Sequence, residues 1–189
     1  MMSPSLQSVF HAVTDLAPGT DQLLPLSSLR QVAPDIYTRA IAKYDTPERL
    51  RLKDTFIPVI ERRWTDVVFL TPVDPRLIWS AWRELSGQSL PSMQFWRIPV
   101  EDVPLDAVVF DRTVSQVGED IRSSEVARFP AENYQTPPSL PAGSREWLTE
   151  LAVSGRRGAW FNRTPHILTG GPVSLERASV LSWDDLPDR

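Results

Sequence analysis

The stretch DVVFLTPVDPRLIWSAWRELSGQSLPSMQFWRI, residues 66–98, decides how the chain is read. Its opening, Asp66-Val67-Val68-Phe69-Leu70, is a short β-rich run halted by Thr71-Pro72, the pattern of a buried strand. Asp74-Pro75 then starts a helix with a capping side chain followed by proline. Ile78, Ala81, Trp82 and Leu85 keep a helical spacing until Gly87 ends it. Met93 to Ile98 returns to a strand.

Working towards the N-terminus, Thr46-Pro47-Glu48 has the form of a helix start, and the apolar positions Leu50, Ile57, Ile60 and Trp64 predict a helix from Pro47 towards Trp64, kinked or broken at Pro58. Leu26, Leu29, Ile36, Tyr37, Ala40 and Ile41 predict two short helices on either side of Pro34, and Ser8 to Val13 a first strand. Towards the C-terminus, Val100 to Val103 reads as one helical turn and Ala107 to Phe110 as a strand. Residues 116–143, with Pro130, Pro137, Pro138 and Pro141, read as a proline-rich loop or flap. Ser144 is the expected cap of a helix bearing Trp147, Leu148, Leu151 and Ala152 and closed by Gly155. Strands near Ala159–Phe161, His166–Thr169 and Ser179–Trp183 complete the pattern, with Gly170-Gly171 as a turn. The expectation is an α+β domain spanning 1–189, its helices mostly in the first half and packed on a mixed or antiparallel sheet, split in two if the resemblance below holds.

Composition narrows the chemistry. At 189 residues, 41% hydrophobic and 23% charged, the chain suits one globular core. The absence of cysteine excludes disulfides, thiolate nucleophiles, zinc ribbons and iron–sulfur clusters together. A net charge of −4 argues against sequence-independent nucleic-acid binding, which is driven by phosphate neutralisation. Nothing resembles a membrane span, and MMSPSLQSVF lacks a basic start and a long apolar stretch, so a cytoplasmic protein is expected.

The common nucleotide-binding, hydrolase and zinc-protease motifs are missing. With two histidines, a transition-metal site would need carboxylates, and Asp184-Asp185 reads more simply as a solvated acidic end; no metal is expected. The histidines fall in similar settings, Phe10-His11-Ala12-Val13-Thr14 and Pro165-His166-Ile167-Leu168-Thr169. The repeated pattern resembles the 2H phosphoesterases, in which paired histidine strands cleave a phosphodiester without metal. Residues three apart on a strand face opposite ways, however, so Thr14 and Thr169 would each need a bulge to join their histidine. Two hydrogen-bonded structural histidines are the plainer alternative.

A second resemblance lies in the order of segments along nearly the whole chain. Val9-Phe10-His11-Ala12-Val13-Thr14 resembles the opening strand of the ADP-ribosyltransferase-like superfamily, including its RNA 2′-phosphotransferase and DNA-modifying toxin branches. Asp66 to Pro72, Gln94 to Pro99 and His166 to Val173 are similar to its later strands. The resemblance implies a split sheet, NAD held by the first-strand residue and a late-strand carboxylate polarising the ribose. Here that late position carries His166, and the first strand has H-x-x-T where the family has H-x-T.

On this reading His11, Thr71 and His166 line a cleft as catalytic candidates, NAD is the candidate cofactor, and Arg156, Arg157 and Arg163 hold its phosphates, since the guanidinium fork matches phosphate oxygens. A solvated loop is the simpler view of Arg156-Arg157-Gly158. The competing reading is a catalytically silent interaction protein, an immunity or antitoxin-like partner. Its surface would comprise Trp79, which departs from the Ile78, Ala81, Trp82 stripe, the proline-rich flap and the acidic stretch from Glu101 to Glu125.

Overall fold

The computed structural model describes residues 7–185. The chain runs through β1 (Ser8–Ala12), β2 (Gln22–Leu23), α1 (Leu26–Val32), α2 (Pro34–Ile41), β3 (Phe56–Ile57), β4 (Arg62–Arg63), β5 (Val68–Leu70) and α3 (Pro75–Ser86). It continues through β6 (Gln94–Pro99), β7 (Val108–Phe110), β8 (Val126–Arg128), α4 (Ala142–Ser154), β9 (His166–Thr169), β10 (Val173–Ser174) and β11 (Ser179–Ser182). The architecture is α+β, as expected, and among the described residues every strand pairing is antiparallel. Helices are not confined to the first half: α4, the longest, comes late.

Two sheets organise the molecule. One has the order β1-β6-β11 and the other β5-β9-β7-β8. Their facing edges, β1 and β5, meet at one bridge, in which the Phe10 amide donates to the Thr71 carbonyl at 2.8 Å and the Thr71 amide to the Phe10 carbonyl at 2.9 Å. Beyond it the strands part.

Side-chain alternation assigns each face its own core. Val9 and Ile98, directly paired, pack with Val68, Leu70 and Ile167. On the other face of β6, Phe95 joins Ile78, Trp82 and Leu148 from α3 and α4, together with Trp183. Val108, Phe110 and Leu168 form a third cluster with Ile57 and Val67, against which Trp64 and Phe69 pack.

α3 forms as its sequence dictates: Asp74 caps the Arg76 amide at 2.9 Å, and Gly87 closes the helix in the left-handed region, at φ 67°. Four other segments differ from expectation. No helix runs from Pro47 to Trp64; a 3-10 turn over Leu50–Asp54 leads instead into the β3–β4 hairpin. Pro58 has no amide to continue a helix, and the reversal after it places Val59 and Glu61 at φ 70° and 54°. α4 starts at Ala142 without a side-chain cap, and Ser144 is buried inside it, its hydroxyl 2.9 Å from that of Thr164. Ala159–Phe161 is a turn, closed by the Asn162 amide on the Ala159 carbonyl. Residues 116–143 contribute β8 to the edge of the four-stranded sheet.

Candidate functional site

The parting of β1 from β5 leaves room beneath α1 and α2. A cavity of about 350 Å³ there is lined by His11 and Thr14 from the end of the first strand and by Val68 and Phe69 from β5. A larger cavity, about 720 Å³, lies beside it and is lined by His166, Phe110, Arg112 and Asn162. Lys43, Tyr44, Trp64 and Phe69 line both, so the two chambers share a wall. That wall is tied together: the Trp64 indole N–H donates to the Tyr44 hydroxyl at 3.0 Å, and the Trp64 and Phe69 rings lie 4.6 Å apart.

Each histidine therefore opens into a chamber, and the chambers adjoin. His11 follows the Phe10 bridge residue and projects on the Val9 side of β1. Its Nδ1 lies 2.6 Å from the Ala12 carbonyl, an acceptor only, so Nδ1 carries the proton and Nε2 is left as an acceptor. His166 repeats the arrangement, with Nδ1 donating to the Thr164 carbonyl at 2.7 Å. Burial pushes the His11 imidazole down to about 4, with the Lys43 charge adding to the effect and the Ala12 hydrogen bond opposing it. His166 is also lowered, chiefly by burial, against the Thr164 hydrogen bond and the Asp111 charge. Both rings are held neutral at pH 7, and each Nε2 is left as a hydrogen-bond acceptor, though burial makes it a weak base.

The hydroxyls divide differently. β1 ends at Ala12, so strand alternation no longer governs Thr14, which reaches the same chamber as His11 without a bulge. Thr169 is fully buried and donates to the Gly171 carbonyl, away from His166. Thr71 shapes the fork through its backbone; its buried hydroxyl accepts from the Val73 amide at 3.2 Å and lies on neither chamber's lining.

Of the three arginines expected to hold phosphate, only Arg163 reaches the larger chamber, and it is engaged by both oxygens of Glu150 at 2.8 and 3.1 Å. Arg156 stacks on Trp147 and donates to Ser154, and Arg157 donates to Gln88, both on the exposed turn after α4. Trp79 is half-buried against the helical core, with the Arg83 guanidinium 4.7 Å from its ring centroid.

Arg112 is the residue that pattern-reading passed over. It lies just past β7, after Asp111, and all three of its guanidinium nitrogens are shut off from solvent without a hydrogen-bond partner. The group lies 5.4 Å from the Phe110 ring centroid and 6.0 Å from that of Trp64. Its loop is fixed by Glu125, whose buried carboxylate accepts from the amides of Val114, Ser115 and Arg122 and from the Ser115 hydroxyl. Burial alone would raise the Glu125 carboxyl, but these four bonds outweigh it and hold the group at about 2. The available signal was a lone arginine just past a buried strand, indistinguishable in sequence from a solvated one.

Among the described residues, no cluster of histidine and carboxylate side chains could hold a metal ion, and no helix is long and apolar enough to cross a membrane. Comparison of the chain with protein-family models, curated proteins and solved structures finds no match.

Proposed function

We propose that the chain binds a nucleotide in the fork between its two sheets, as an ADP-ribosyltransferase-like domain with a degenerate site, and that NAD is the first candidate ligand. The observation that carries this reading is the parting of β1 from β5 beyond the Phe10–Thr71 bridge, with His11 and His166 opening into adjoining chambers on either side. Chambers of about 350 and 720 Å³ are within the range of small-molecule sites, and the aromatic wall between them offers faces on which a base or ribose can rest.

The chemistry is limited by what the imidazoles lack. A neutral Nε2 accepts a hydrogen bond from a ribose hydroxyl, but it does not supply the negative charge with which a carboxylate stabilises a cationic sugar. Binding with weak or no group transfer follows. Metal-free phosphodiester cleavage by paired histidines is less well supported, since it needs one imidazolium at working pH and burial disfavours both. An interaction surface centred on Trp79 loses support because that ring is already packed.

Calorimetry with NAD, ADP-ribose and adenosine, together with detection of released nicotinamide, tests the proposal. NAD is expected to bind, with affinity reduced at least tenfold in both His11→Ala and His166→Ala, and with little nicotinamide released. Absence of binding by all three ligands at millimolar concentration, or binding indifferent to both substitutions, would sink it.

A further inference from the structure

We infer that Arg112 is an oxyanion receptor, taking a phosphate group of the ligand into the larger chamber. A guanidinium removed from water without a carboxylate or carbonyl on its donors destabilises the fold that contains it, and the cost is recovered when an anion arrives. All three nitrogens of Arg112 are in that condition, and the group lines the chamber. It is held in place by ring faces, Phe110 and Trp64, which leave its hydrogen-bond donors uncommitted but closed to solvent, so an anion in the chamber is met by a turn of the side chain off those rings.

The surroundings favour the same ligand. Lys43 and Arg49 line the chamber, and neither forms an ion pair among the described residues; Arg49 reaches only the Lys43 carbonyl, at 3.4 Å. Asp111 is the lining carboxylate, on the His166 side. The charges of Glu125 and Glu119 act on Arg112 against the effect of its burial, but neither carboxylate touches it, and the oxygens of Glu125 are occupied by four other donors. Three cations with no carboxylate in contact among the described residues, on a chain of net charge −4, prepare this chamber for a compact polyanion. The identity of the rest of the ligand rests on the nucleotide reading above; the phosphate is argued from Arg112 itself.

The test is calorimetry and thermal melting of the full chain with inorganic pyrophosphate, ADP, adenosine and NAD, using the parent, Arg112→Met, Arg112→Gln and His11→Ala. Pyrophosphate and ADP are expected to bind the parent and raise its Tm, with adenosine at least tenfold weaker than ADP. Arg112→Met and Arg112→Gln are expected to lose at least tenfold in affinity for pyrophosphate and ADP while melting, without ligand, no lower than the parent. Free pyrophosphate binding as tightly as ADP would identify the oxyanion alone as the ligand; tighter ADP binding adds the nucleoside. Unchanged pyrophosphate and ADP binding in either variant, or no binding of either by the parent, overturns the inference. If pyrophosphate binding depends on Arg112 while NAD does not bind and His11→Ala changes nothing, the fork reading fails and the receptor stands. NAD binding lost in His11→Ala but unaffected at Arg112 overturns the receptor and leaves the fork reading standing.

Discussion

His11 is a base kept uncharged, and that has a cost that depends on pH. Its ordinary value of 6.5 is lowered to about 4 in the fold, so the unfolded chain takes up the proton first as pH falls. The stability associated with a neutral His11 is complete above pH 6.5 and is lost progressively down to about 4. His11→Gln is therefore expected to flatten the urea-unfolding profile between those limits, by about 2 kcal/mol relative to the parent. Glu125 acts in a lower window: lowered from 4.5 to about 2, it stabilises above 4.5 and ceases to as pH falls towards 2. Glu125→Ala leaves the amides of Val114, Ser115 and Arg122 unmatched, that of Ser115 in a buried position, and a loss of about 3 kcal/mol is expected by chemical denaturation. The histidines could be found in the sequence because each sits in a short β-branched run that assigns it to a strand. Arg112 could not, since nothing local distinguishes a charge that has no partner from one that faces water.

Elements with their own punctuation were the readable ones. α3 carries a capping aspartate, a proline in its first turn, an apolar stripe and a closing glycine, and each does in the structure what its chemistry favours. The stretch from Pro47 to Trp64 has a helix start but no helix, because Pro58 interrupts it where a helix would need an amide and the chain reverses to pair Phe56 with Arg63. That reversal holds Val59, a β-branched residue, at φ 70°, a conformation costly for a side chain branched at Cβ. Val59→Gly is accordingly expected to stabilise the protein by about 1 kcal/mol, read as a higher denaturation midpoint at unchanged slope. The two-residue strands β2 and β10 were not legible: so short a pairing exists only because distant segments converge.

At the scale of the molecule, the layering came from composition and period, whereas the meeting of β1 with β5 depends on contacts about sixty residues apart that no local pattern encodes. Leu148 on α4 shows how one core joins distant segments: it is fully buried with Ile78, Trp82, Phe95 and Trp183. Leu148→Ala is expected to cost about 3 kcal/mol, with far-UV circular dichroism and tryptophan emission changing together in urea if the layers unfold as one. The Trp64–Tyr44–Phe69 partition has its own thermodynamic meaning. One indole furnishes surface to two compartments, so a guest that shifts it from one side changes the lining offered to a guest on the other. Whatever factor the first occupant imposes on the second's dissociation constant, the second must impose on the first.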